Sequence, residues 1–258
     1  MSKIYEPSGR AREYSPLALN LYKGCTHQCQ YCYVPRIFGH FNKNYKHEEC
    51  RSQVDWNELE NSAKKMQECN KQILLSFTGD PYCGVDPDTT SKALEILNKY
   101  NHKVAILTKG GNLCLNDLDL YKKFGDRIKI GATLTFDNDK DSLEWEPGAA
   151  TPSERIKVLK KLAEEGIKTW VSFEPVIIPE QSLNLLQMVS DFIDHVKIGK
   201  INNYKGIDKQ IDWQDFIKKA VKICRETNVP FYIKNDLAAF NNEVELSENE
   251  INQDFLNL

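Results

Sequence analysis

The stretch 103–135, KVAILTKGGNLCLNDLDLYKKFGDRIKIGATLT, reads as a strand, a polar turn, a helix and a second strand. Lys103 to Thr108 is a short run rich in Val, Ile and Leu, closed by Lys109-Gly110-Gly111. Leu115 to Phe124 spaces its apolar residues as a helix does, and Ile128 to Thr135 is again a β-rich run. The same unit recurs outward in both directions. Further strands are expected at Leu17 to Leu21, Ile73 to Phe77, Thr169 to Phe173, His195 to Ile198 and Phe231 to Ile233. Helices are expected at Thr89 to Tyr100, Pro152 to Glu165, Ser182 to Ile193 and Trp213 to Thr227. The start at Thr151-Pro152-Ser153-Glu154 is strongly signalled by a threonine cap, a proline at the first helical position and a glutamate placed to reach back, and Gly166 closes that helix.

Strands alternating with helices predict an α/β fold built on a parallel sheet. Six or seven such repeats predict a partial, TIM-like (β/α)6-type barrel, with chemistry on the loops at one end. A doubly wound open sheet is the alternative, but no Gly-x-Gly-x-x-Gly turn follows a strand. Residues 1–240 read as one domain, with 36–70 as a polar insertion between the first two units, helical from Trp56 to Cys69. Residues 241–258 read as a polar tail with a short surface helix.

The 258 residues carry 34 Lys and Arg against 37 Asp and Glu, a net charge of −3, so no global basic field exists to hold a nucleic-acid backbone. Met1 to Arg12 lacks an apolar leader, and no run approaches the ~18 apolar residues of a membrane span. The expected setting is cytoplasmic, with no membrane partner. There the eight cysteines read as thiols or metal ligands and not as disulfides. Cys50, Cys69, Cys83, Cys114 and Cys224 are by default small buried hydrophobes.

The other three cysteines are Cys25, Cys29 and Cys32, in Gly24-Cys25-Thr26-His27-Gln28-Cys29-Gln30-Tyr31-Cys32-Tyr33 directly after the first strand. Three thiolates at that spacing can hold one iron–sulfur cube. Such cubes normally take four cysteines, so three leave one iron open to another ligand. A zinc knuckle is the second reading, but it needs a further ligand pair to close a tetrahedron, and His27 lies inside the loop. Three unrelated buried cysteines are the third.

At the expected carboxyl ends of the strands, where a barrel keeps its active site, the residues are polar. Ser76-Phe77-Thr78-Gly79-Asp80 offers hydroxyls, a glycine and an acid to a cationic amine. Lys109 beside Gly110-Gly111 suits a carboxylate. Thr133, Thr135 and Asp137 can bond ribose hydroxyls, and Ser172-Phe173-Glu174-Pro175 and Lys197-Ile198-Gly199-Lys200 end the next two strands. Each alone is ordinary turn chemistry. Together, beside an open iron, they describe a pocket for an amino acid joined to a nucleoside, which S-adenosylmethionine fits.

Cys25-x₃-Cys29-x₂-Cys32, with Tyr31 before the last cysteine, resembles the signature of radical S-adenosylmethionine enzymes. Asn20, Gly24, His27 and Tyr33 around it, then Thr78-Gly79-Asp80-Pro81-Tyr82, Thr108-Lys109 and Glu146-Pro147 before Arg155, resemble the branch related to spore photoproduct lyase. The resemblance implies a [4Fe–4S] cluster on Cys25, Cys29 and Cys32 with S-adenosylmethionine on the fourth iron. One electron, from a donor such as flavodoxin or ferredoxin, then yields methionine and a 5′-deoxyadenosyl radical that abstracts hydrogen from substrate. It also implies that Tyr31 contacts adenine, Lys109 the carboxylate, and Thr133 or Thr135 the ribose, with a nucleotide or nucleic acid as the substrate class. One departure stands out: the lyase's hydrogen-donor cysteine corresponds here to Phe77. Cys83 is the replacement donor to consider, and Tyr82, Tyr204 and Tyr232 are conceivable relays. The competing readings are a non-catalytic iron–sulfur or zinc-binding module, and a nucleic-acid binder using Lys197, Lys200, Lys205, Lys218 and Lys219 as surface lysines. Lys234, Asn235 and Asp236, after the last strand, suit a pocket and a turn equally.

Overall fold

The computed structural model describes residues 3–41 and 45–258; Met1 and the 42–44 part of the expected insertion lie outside the described residues, as does the side chain of Lys205. Among the described residues nine strands form: β1 Leu17–Leu19, β2 Tyr22–Lys23, β3 Arg51–Ser52, β4 Gln72–Leu75, β5 Lys103–Thr108, β6 Ile128–Thr133, β7 Lys168–Val176, β8 His195–Lys200 and β9 Phe231–Ile233. Seven of them make one parallel sheet in the order β1-β4-β5-β6-β7-β8-β9, while β2 and β3 pair antiparallel beside it. The seven-stranded sheet curls into a half-barrel of the partial TIM-like type. Parallel strands joined by helical crossovers all end at the same rim, where the loops that follow them meet.

The helices that cross over lie at Pro87–Lys99, Leu118–Phe124, Pro152–Glu164, Pro179–Val189 and Trp213–Glu226, and the insertion contributes Trp56–Lys65. Where Leu115 to Phe124 was expected to be one helix, a 3₁₀ segment Gly111–Asp117 leads into it. Thr151 caps its helix as expected, accepting from the Glu154 N–H, and Gly166 ends it at φ +76°. Glu154 does not turn back to the cap. Its carboxylate accepts the Asn112 N–H at 2.8 Å and so ties the loop after β5 to the next helix.

Two apolar cores separate sheet from helices. One joins β6–β9 to the helices after them through Phe136, Phe173, Ile198, Phe216 and Val221; the other joins β1, β4 and β5 through Leu19, Ile73, Ile106 and Tyr121. Inside the curl a smaller apolar cluster of Tyr14, Leu74, Ala105 and Trp170 sits beside buried lysines. Lys197 donates to the Glu13 and Tyr14 carbonyls at 2.8 and 3.2 Å, and Lys129 to the Leu256 carbonyl at 2.5 Å. Burial, and then the neighbouring Lys234 charge, bring the Lys197 ammonium down to about 7. The tail packs back against the barrel, with Arg12 forked onto Asp254 at 2.7 and 2.8 Å and a capped helix at Glu248–Ile251. Among the described residues no helix is long and apolar enough to cross a membrane.

These positions correct the picture of exposed lysines. Lys197 is buried because its strand position points into the curl, whereas Lys200, on the opposite face of the strand, is buried over Trp213 and paired with Asp208 at 2.5 Å. Lys218 and Lys219 are exposed but face Glu243 and Asp215.

Candidate active site at the strand ends

The cysteine loop, residues 24–33, lies over the rim and is pinned on three sides. Toward the insertion, the Cys25 N–H donates to the His47 carbonyl at 3.3 Å. Toward the loop after β4, the Thr26 hydroxyl donates to the Cys83 carbonyl and the Tyr33 hydroxyl to the Phe77 carbonyl at 2.6 Å. Toward residues 144–148, the Gln30 N–H donates to Trp145 O at 2.8 Å and the Gly148 N–H to His27 O at 3.0 Å. Gly148 sits so close that a Cβ there would fall 2.0 Å from the Thr26 carbonyl oxygen, so only glycine allows this approach.

Asp80 is the buried pivot between this loop and the sheet. Its Oδ1 accepts the Tyr82 N–H at 2.8 Å and the Thr108 hydroxyl at 2.6 Å; its Oδ2 accepts the Lys109 N–H at 2.8 Å and lies 3.2 Å from His27 Nε2. Burial alone raises this carboxyl, but the His27 ring and the three donors outweigh it and hold it down to about 2. Each oxygen is thus engaged by the chain itself, which leaves the amine-binding part of the expectation to the neighbours: Ser76 Oγ is buried without a partner among the described residues, and Asn20 receives the Phe77 and Thr78 N–H groups at 2.7 and 3.1 Å. Gly79 packs against the Gly24 carbonyl.

A second buried group lies on the opposite side. Arg155 donates to the Thr133 carbonyl at 2.8 Å, to the Ala150 carbonyl at 2.8 Å, and to Glu146, which also accepts from the Tyr31 hydroxyl. Arg155 and Lys109 keep the Glu146 carboxyl below its usual range although burial acts the other way. Thr135 Oγ1 is 3.5 Å from the Tyr31 hydroxyl, and Lys109 Nζ lies 5.5 Å over the Tyr31 ring. Burial lowers Lys109, but the Cys29 thiolate form and Glu146 more than compensate, so the ammonium holds its proton more tightly than usual. Tyr31, Lys109, Thr133 and Thr135 are therefore brought together beside Cys29.

Ser172 and Glu174 meet through Tyr14, whose hydroxyl lies 2.7 Å from Ser172 Oγ and donates to Glu174 at 2.5 Å; Lys234 completes the group at 2.6 Å. Sequence reasoning missed Tyr14, because it precedes the first strand and nothing local marks it as part of the barrel mouth. It also missed Tyr45 and His47, within the insertion. Cys83 is buried, and its sulfur faces Cys50 at 3.2 Å.

The donor set fits an iron–sulfur cube. Cys25, Cys29 and Cys32 are free and half-buried. Burial pushes the Cys29 thiol up to about 11 against the pull of Lys109, and raises Cys25 and Cys32 too. Among the described residues no three His, Cys, Asp or Glu side chains come together as they would to hold a single ion. A cube binds each thiolate on a different iron. The buried Tyr45 hydroxyl, which senses Cys32 and Cys25, has no partner among the described residues.

Residues 19–193 match the radical SAM superfamily. The chain belongs to that superfamily, and membership implies S-adenosylmethionine and an iron–sulfur cluster. It is 31% identical over 161 residues to an uncharacterized protein of Methanocaldococcus jannaschii, covering 62% of this chain and 60% of that one. It is 28% identical over 174 residues to an uncharacterized protein of Acidianus two-tailed virus, covering 64% and 57%. The chain thus spans about 60% of the length of these curated relatives. Among solved structures, spore photoproduct lyase with bound AdoMet and dinucleoside spore photoproduct superposes with a TM-score of 0.68 at 15% identity, covering 90% of this chain and 79% of that one. Streptococcus suis SuiB bound to S-adenosylmethionine gives 0.65 at 18%, covering 90% and 53%. At such identities the likeness is one of fold.

Proposed function

We propose that this chain cleaves S-adenosylmethionine reductively at a [4Fe–4S] cluster on Cys25, Cys29 and Cys32, and abstracts hydrogen from a nucleotide or nucleic-acid substrate. The observation that carries the reading is the placement of the Lys109 ammonium over the Tyr31 ring, beside Cys29, in the loop of three thiols. The cluster and its ligand, when bound, supply a 5′-deoxyadenosyl radical once an electron arrives from a donor such as flavodoxin or ferredoxin. The residues do the positioning. Lys109 takes the carboxylate, since its ammonium lies over the Tyr31 ring and holds its proton firmly, whereas Arg155 is committed to Glu146. Thr133 or Thr135 takes the ribose hydroxyls. Tyr31 meets the adenine through its ring or backbone, because its hydroxyl is committed to Glu146. Ser76 and Thr78 receive the amine in place of Asp80. Ser172, Glu174 and Lys234 stand on the substrate side.

The nucleotide class rests on the shared fold with spore photoproduct lyase, whose structure contains a dinucleoside photoproduct. By the resemblance, Phe77 takes the place of that enzyme's donor cysteine, and a phenylalanine brings no exchangeable hydrogen, which argues for a different reaction here.

The test is the effect of S-adenosylmethionine on the EPR spectrum of the reduced, reconstituted protein. Added ligand is expected to change the signal, and Lys109→Ala to raise the half-saturating concentration roughly 10- to 100-fold, the loss of one charge-assisted contact. A spectrum indifferent to the ligand at full iron content supports the non-catalytic iron–sulfur module instead.

A further inference from the structure

Cys50 lies in the insertion and Cys83 in the loop after β4, and the fold brings their sulfurs to 3.2 Å. Cys114 and Cys224, by contrast, are each buried singly in apolar cores. The pair stands directly behind the first half of the cysteine loop. Gly24 packs on Cys50 so tightly that a Cβ would fall 2.6 Å from the Cys50 Cα, and the Thr26 hydroxyl bonds the Cys83 carbonyl. A disulfide needs the sulfurs at about 2.05 Å, so a closure of roughly 1.2 Å separates this contact from a bond.

We propose that Cys50 and Cys83 are a redox modification site: they form a reversible disulfide by exchange with a low-molecular-weight disulfide such as oxidised glutathione, stapling the insertion to the barrel behind the cysteine loop. Cys50, half-buried, is the thiol a small molecule reaches; Cys83 is buried and resolves. The Cys50 thiolate attacks one sulfur of the small disulfide, breaking its S–S bond and releasing one thiolate. The Cys83 thiolate then attacks the Cys50 sulfur and releases the second. The two protons lost by the cysteines end on the two released thiols. Two protein thiols are oxidised and one small disulfide is reduced. Because the staple holds residues that back Gly24 and Thr26, it slows opening of the loop that carries Cys25.

The test uses the reconstituted holoprotein, incubated anaerobically with oxidised glutathione, denatured in an alkylating agent and mapped by mass spectrometry. The expected product is a peptide pair linked through Cys50 and Cys83, reversed by dithiothreitol. Cys83→Ser is expected to trap the glutathione adduct on Cys50. Recovery of both cysteines alkylated, or of Cys50 linked to any other cysteine, overturns the proposal. If Cys83→Ser does not take up a cluster, the map of the unsubstituted protein decides alone. Iron release to a chelator is expected to slow several-fold in the oxidised form; an unchanged rate overturns the stapling.

Discussion

Arg155→Met is expected to destabilise the protein by about 3–5 kcal/mol, because it leaves Glu146 as an unpaired carboxylate in a buried site. Arg155 and Glu146 are both almost wholly inaccessible to solvent, and Arg155 also satisfies the Thr133 and Ala150 carbonyls. Glu146→Gln with Arg155 retained is the milder change, since the amide still accepts from the guanidinium. Urea unfolding of the two variants checks the difference. If Arg155→Met unfolds at the midpoint of the unsubstituted protein with an unchanged slope, the pair does not carry the weight assigned to it. A consequence for the site follows from the same contacts: Tyr31 loses its anchor when Glu146 is displaced, so the aromatic wall beside Cys29 loosens along with the fold.

Asp80→Asn is expected to cost about 2–4 kcal/mol and to loosen the cysteine loop. An amide cannot accept at both ends, so either the Lys109 N–H or the Thr108 and Tyr82 donors lose their acceptor. The pH dependence has a definite sign. The Asp80 carboxyl, near 3.8 when unfolded, is held to about 2 in the fold, so the unfolded state binds the proton first as acid is added. Its contribution, roughly 2 kcal/mol, is present above about pH 4 and lost as the pH falls toward 2. Unfolding free energies measured between pH 6 and pH 2 are expected to show that loss in the native protein and its attenuation in Asp80→Asn. Parallel curves for the two proteins would remove Asp80 from its pivotal place.

The barrel was legible in the sequence because buried parallel strands leave continuous apolar runs, as at 73–75 and 104–107, and helices of clear periodicity alternate with them. The cysteine loop was legible because its three cysteines are close together in the chain. What escaped were the partners that meet across long sequence separations. Asp80 looks in sequence like a turn acid free for a ligand; only the fold brings His27, 53 positions earlier, to its Oδ2. Tyr14 reaches Glu174 from 160 residues away. Lys197 and Lys200 read as solvated because lysine usually is, yet the sheet buries Lys197 inside its curl and Lys200 against Trp213 and Asp208 on the other face. Cys50 and Cys83 each look like a small hydrophobe, and nothing local announces that their sulfurs meet. Glu154 shows the same limit on a smaller scale: a capping glutamate by sequence, it serves the neighbouring loop in the fold.

The central claim is that the three thiols hold a cluster on which S-adenosylmethionine is cleaved. Anaerobic reconstitution with iron and sulfide, followed by dithionite and S-adenosylmethionine, tests it most directly. The expected result is 5′-deoxyadenosine together with methionine, abolished in the Cys29→Ala protein. Absence of 5′-deoxyadenosine from a protein carrying its full iron and sulfide complement would contradict it.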